Sequence, residues 1–218
     1  MRSIATVVLV LTATILASPA GAVVIGDYVG YGYETGGFLP SDAGDELVFT
    51  AVATAVDPVT GADLGIQEMT FYGYGLVSDG QTVDTNGNTT VTYTGGKLEI
   101  YLDGSQNADW GTNPPNATSP ATFSDGALLF EGNFTSFVII IQADGAGAYE
   151  GNLDGVAGTL LDSTCSDCGY TWGGAWTADA GAQIIEGYDL QIDGKFDLLE
   201  AVPSETDSWG GVKSTFQR

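Results

Sequence analysis

Histidine is absent from the 218 residues, and cysteine occurs only twice. The first absence removes the commonest general base and the commonest zinc and copper ligand, so Ser-His-Asp and Cys-His catalysis are excluded. Basic residues are scarce too. Five lysines and arginines stand against 28 aspartates and glutamates, for a formal net charge of −23 at pH 7. A surface of that sign repels phosphate backbones, so nucleic acid and anionic membranes are poor partners. The acids lie singly between apolar runs, as on solvated faces and turns, and form no acidic tail. Beyond the N-terminus long hydrophobic runs are missing as well. The best later stretch, residues 134–141, has the length of a strand, whereas a membrane helix needs roughly 20 residues. Glycine is plentiful at 32 residues, yet it shows no Gly-X-Y period, which excludes collagen.

The first residues read as an export signal. Arg2 supplies a positive start, residues 4–17 form an uncharged apolar run, Ser18-Pro19 breaks it, and Ala20-Gly21-Ala22 is an A-x-A cleavage site. We therefore expect a signal peptide over 1–22, one domain over 23–202, and a tail over 203–218 that is a short helix or disordered. The protein is expected to be exported, to the periplasm, the cell surface or the medium, with no integral membrane segment once the signal is removed.

Apolar residues recur with period two. Leu98, Ile100 and Leu102 alternate with Lys97, Glu99 and Tyr101, and Leu190 and Ile192 alternate with polar neighbours. β-rich runs lie at 23–33, 46–56, 66–77, 89–93, 127–142 and 170–177. Between them stand Asp79-Gly80, Asn86-Gly87, Gly95-Gly96, Asp125-Gly126 and Asp144-Gly145 as punctuation. Asp193-Gly194 is read as a type I′ hairpin turn. This pattern predicts an all-β fold, a single antiparallel β-sandwich of jelly-roll or immunoglobulin type. Its core should include Leu98, Ile100, Phe130, Phe134, Val138, Ile140, Leu190 and Ile192. The aromatic-glycine runs 28–33 and 71–74 resemble each other, but two short echoes do not make a repeat.

Few residues point to chemistry. Cys165-Ser166-Asp167-Cys168 lacks the second pair that zinc needs and the helical setting of a redox motif. In an exported protein the pair fits a small disulfide loop, with free thiols or a metal as the alternatives. Asp103, Asn107 and Asp109 cluster hard oxygen donors in a loop, which suits calcium, although Asp and Asn favour turns without any metal. No other cofactor is expected. Trp110, Trp172 and Trp176 are candidates for stacking on sugars, or else core. Two carboxylates would suffice for a glycoside hydrolase, but with 28 acids a pair is unavoidable and carries no information.

Several stretches carry a resemblance. They are Glu46-Leu47-Val48-Phe49-Thr50-Ala51-Val52, Tyr93-Thr94-Gly95-Gly96-Lys97-Leu98-Glu99-Ile100-Tyr101, Asn113-Pro114-Pro115-Asn116-Ala117-Thr118 and Gly187-Tyr188-Asp189-Leu190-Gln191. In these the chain resembles a group of bacterial exported β-rich proteins of unassigned activity, some of whose relatives carry a PEP-CTERM sorting tail. This sequence departs from them in lacking Pro-Glu-Pro, the hydrophobic span and the basic end of that tail. The resemblance implies export and supplies no active-site residues. The function expected is non-enzymatic, structural or adhesive, at a surface or in a matrix, with polysaccharide or other surface proteins as partners. The alternative is a carbohydrate-binding module that takes polysaccharide with or without calcium, and the third reading is the glycoside hydrolase. Exposure of the three tryptophans separates the first two, since buried rings favour the structural reading.

Overall fold

The computed structural model describes residues 22–111, 120–143, 147–164, 168–178 and 184–199. Among them are nine strands: β1 Ala22–Glu34, β2 Glu46–Val56, β3 Glu68–Val83, β4 Thr89–Thr94, β5 Lys97–Asp103, β6 Ala127–Ile141, β7 Gly147–Ala157, β8 Gly169–Thr177 and β9 Leu190–Leu199. Every pairing is antiparallel between neighbours in the wall, and β9 returns to β1 from Ala22↔Leu199 to Gly32↔Leu190. β4 and β5 share one position. β3 and β6 each pair with β5 along their first halves and with β4 along their second. The hinge between the two is Gly95-Gly96, both at positive φ (70° and 86°), where an L side chain is strained. The result is an eight-stranded antiparallel barrel.

The expected sandwich is therefore wrong in its closure. A sandwich and a barrel share the same half-buried, period-two strands; what distinguishes them here is that β1 pairs with β2 on one side and β9 on the other. Closure also removes the exposed sheet edges that invite aggregation.

The barrel is filled with rings. Trp172, fully buried, stacks on Tyr28 at 5.3 Å and meets Phe49 edge-on at 4.9 Å. Below it Phe130, Tyr170 and Phe196 pack together, with Tyr170 and Phe196 parallel at 5.6 Å. Each such side chain contributes roughly 1.5–3 kcal/mol when taken out of water. An eight-stranded barrel has just room for side chains, so large residues on some strands require small ones opposite. The two aromatic-glycine echoes answer that need. Gly30, Gly32 and Gly73 face inward while Tyr31, Tyr33, Tyr72 and Tyr74 face outward. A Cβ on Gly32 would stand 2.8 Å from Leu190 and from the Phe49 ring.

Three local expectations also change. β7 was not foreseen, because its inward Gly151 and Gly155 dilute the apolar pattern; a Cβ on Gly151 would meet the Phe134 ring at 2.6 Å. Asp193-Gly194 is no turn but the middle of β9. There a Cβ on Gly194 would lie 2.6 Å and 2.7 Å from the Tyr149 and Tyr28 hydroxyls, so the glycine serves a close approach inside the wall. In β6 the register slips between Phe134 and Ser136. The bulge reverses the parity, so Phe137, Ile139 and Ile141 point inward, Val138 is half-buried, and Ile140 is 44% exposed. Leu98, Ile100, Phe130, Phe134, Leu190 and Ile192 are buried as expected.

No helix of the described residues is long and apolar enough to cross a membrane. The strands carry Glu99, Glu131, Glu150, Asp193 and Lys195 on their outer faces, where a barrel embedded in lipid carries an apolar band.

Candidate functional site

The sites expected from sequence come apart in the structure. Trp172 is fully buried and Trp176 is 5% exposed, so neither can offer a face to a sugar. Both belong to the single apolar interior that closure creates. Trp110 lies on the outside of the barrel, where it meets Tyr31 edge-on at 5.3 Å and packs against Phe123 at 5.4 Å. Tyr188 donates to its carbonyl at 3.1 Å. It seals a small second apolar cluster instead of forming a platform.

One oxygen of each aspartate at 103 and 109 shapes the loop, while Asp103 Oδ2 is buried without a hydrogen-bond partner among the described residues. Asp103 Oδ1 accepts from Ser105 N at 2.9 Å, and Asp109 Oδ1 from Gly111 N at 2.8 Å. Asn107 donates to Asp125 Oδ2 at 3.1 Å. The residue that organises the loop, Glu68, escaped the sequence reading: it accepts from the backbone N–H of Asn107 at 2.8 Å and of Ala108 at 2.9 Å. Burial raises its carboxyl pKa, and those two N–H groups oppose the rise. Among the described residues no three acidic or cysteine side chains are gathered as a metal would need. Cys168 is buried beside the start of β8, and Cys165 lies outside the described residues, as do 1–21 and the tail 203–218.

Three other constellations emerge. On the outer face of β3 and β5, Tyr72 and Tyr74 stack at 4.6 Å, two residues apart on one strand. Glu99 on β5 accepts from the Tyr74 hydroxyl at 2.8 Å and from the Tyr101 hydroxyl at 2.7 Å, and Lys97 beside it pairs with Glu131. Burial, and then Glu99, push both of these phenols well above the ordinary tyrosine range. Three rings around one carboxylate, half-buried and facing out, form a surface with both stacking and hydrogen-bonding capacity.

Around the wall, β1, β9, β8 and β7 form a groove of about 570 Å³ on their outer side. Asp27, Glu150, Asp193 and Asp197 line it about a lone cation, Lys195, which reaches Asp27 at 3.3 Å. Gly173 leaves its floor bare, so the groove lies directly over Tyr149, whose hydroxyl meets that of Tyr28 at 2.7 Å inside. Burial raises the Asp197 pKa, with Lys195 acting against it.

The third constellation is inside. Glu34, the last inward residue of β1, is only 1% exposed. Ser41 Oγ donates to its Oε1 at 2.5 Å and lies 2.8 Å from Ser78 Oγ, while Tyr93 donates to Oε2 at 3.3 Å. The Glu34 backbone N–H donates to Asp189 Oδ2 at 2.8 Å. The period-two pattern of β1 runs straight to Glu34 through Tyr28, Gly30 and Gly32, and this was the signal that could have revealed it.

Compared with protein-family models, curated proteins and solved structures, the chain finds no match.

Proposed function

We propose that this chain is an exported, non-enzymatic barrel that acts through its outer surface, structurally or by adhesion. One observation carries the reading: Trp172 and the rings around it fill the barrel, so the volume that an interior ligand or substrate would need is already taken. Export rests on the Arg2, apolar-run and A-x-A pattern and on the resemblance to bacterial exported proteins. Under this reading Cys165 and Cys168 are oxidised to a disulfide outside the cell. The test follows the native protein through cell, surface-wash and medium fractions. Recovery outside the cell, an N-terminus at Val23 and a mass two hydrogen atoms below the dithiol are the expected results. An intracellular protein with residues 1–22 intact would overturn the reading.

A second reading, carbohydrate binding, is favoured by the outward Tyr72, Tyr74 and Tyr101 around Glu99, in place of the tryptophans. Aromatic rings offer sugars an apolar face, and the carboxylate accepts from their hydroxyls. A glycan array with the mature protein, with and without calcium, tests it. Binding lost in both Tyr74→Ala and Tyr101→Ala supports this reading, and an array without any signal rejects it.

A further inference from the structure

The segment joining β1 to β2 folds across one mouth of the barrel. Phe38 on this segment is buried and meets Trp176 edge-on at 4.9 Å, stopping the interior from above. What ties the segment down is polar. Its Ser41 is buried between Glu34 and Ser78, and Ser41 N donates to Gln81 Oε1 at 3.3 Å. Gly44 N donates to Ser78 O at 2.9 Å, and Ser78 N to Asp45 O at 2.8 Å. Ser41 bonds Glu34 directly, and the ties at Ser78 reach it through Ser41.

We propose that Glu34 is a proton-operated latch: protonated, it holds residues 35–45 and Phe38 over the barrel mouth; ionised, it releases them and opens the upper aromatic layer. The charges around it all act in one direction. The neighbouring titratable groups are Asp45 from the segment itself, Asp189 from the approach to β9 and Tyr93 from β4; Ser41 and Ser78 supply hydroxyls from the segment and β3. Both lysines of the described residues are engaged elsewhere, Lys97 with Glu131 and Lys195 with Asp27. An ionised carboxylate buried without a cation and beside two further acids is costly, even with two hydroxyl donors.

The titration fits that geometry. Burial pushes the Glu34 carboxyl up to about 7, against hydrogen bonds from Ser41 and Tyr93 that favour the ionised form. Since its ordinary value lies near 4.5, the closed state binds the proton more tightly than the open one. Stability of the closed state is then complete below that ordinary value and is lost as the pH rises through about 7.

Hydrogen exchange on the full mature protein tests the latch. Between pH 5.5 and 8, protection factors corrected for intrinsic exchange should fall by about tenfold or more at Gly37 and Gly44. At Asp57, whose N–H donates to Ile25 O at the opposite mouth, they should stay level. Binding of an apolar dye should rise over the same range. In Glu34→Gln, protection at Gly37 and Gly44 should stay high throughout. Level protection in the wild type, or an equal fall in Glu34→Gln, overturns the proposal. Should that variant not fold, Ser41→Ala decides. Removing a donor to the ionised carboxylate must move the opening midpoint to higher pH, and an unmoved midpoint likewise overturns the latch.

Discussion

At the lower mouth of the barrel the stopper is Leu160, buried on the turn Thr159–Asp162 after β7, while Leu161, Val59 and Leu64 pack half-buried against the core. At the upper mouth Phe38 does the same steric job against Trp176, but the segment that carries it is held by Glu34, Ser41, Ser78 and Tyr93. The lower stopper is an apolar side chain, with Asp162 at the end of its turn. The upper one has a buried carboxyl at its centre, with Asp45 and Asp189 beside it. Two closures of similar shape are therefore expected to respond differently to pH. Which end of a barrel opens can be decided by one inward-facing residue.

Shortening the two stoppers should separate the two mouths most clearly. Phe38→Ala should cost about 3–5 kcal/mol at pH 5.5 and clearly less at pH 8, where the segment is already released. Leu160→Ala should cost about 2–5 kcal/mol, and the same at both pH values. Denaturant unfolding of each variant at the two pH values measures this, and equal pH dependence at the two mouths would erase the distinction.

Glu34→Gln sharpens it from the other side. Relative to wild type, the variant should gain roughly 1–3 kcal/mol on going from pH 4.5 to pH 8, because the wild type must strip a proton from a buried site and the amide does not. Taking the difference between the two proteins removes the pH response of the other carboxylates. A constant difference across that range would mean that folding leaves the Glu34 pKa where it stands in the unfolded chain.

Gly194→Ala probes the wall midway between the mouths. The new methyl group meets the Tyr28 and Tyr149 hydroxyls and the Gly173 carbonyl. A loss of about 1–3 kcal/mol, independent of pH, is expected from overpacking. A neutral outcome would show that the tyrosine pair has room to shift. The smallest effect belongs to the molecule as a whole. With a net charge of −23, self-repulsion should ease as salt shortens the screening length to about 10 Å at 0.1 M. A gain of about 1 kcal/mol would raise the melting temperature by about 2–4 °C. Calcium at matched ionic strength, compared with sodium, separates screening from a bound ion, and Asp103→Asn with Asp109→Asn locates such an ion in that loop.

Much of the wall was legible in the residues. β2 begins and ends where the β-rich run 46–56 does, and the expected runs at 23–33, 89–93, 127–142 and 170–177 lie within a residue or two of β1, β4, β6 and β8. The errors share a cause. Gly194, Gly151 and Gly155 resemble turns or breaks when read locally, yet each leaves space for a ring contributed from elsewhere in the barrel. Strict alternation through β6 puts Val138 and Ile140 in the core, and the bulge that reverses it is visible only in the pairing of β6 with β7. The candidate sites were less legible still. The tryptophans drew attention as sugar platforms because composition carries no burial, whereas Glu34 and Glu68 passed as two acids among 28.

By itself the sequence determined the class of this protein. Period two and turn punctuation require strands with one apolar face, and the excess of carboxylate over lysine sets the sign of its surface. That the sheet closes appears only in the assembled fold. That choice rests on the pairing of β1 with β9, segments nearly the whole chain apart, and no local pattern encodes it. Closure then turned Trp172 into core, gave the glycines their purpose, and buried Glu34 away from both lysines of the described residues, because burial is a property of the assembled wall and not of the residue.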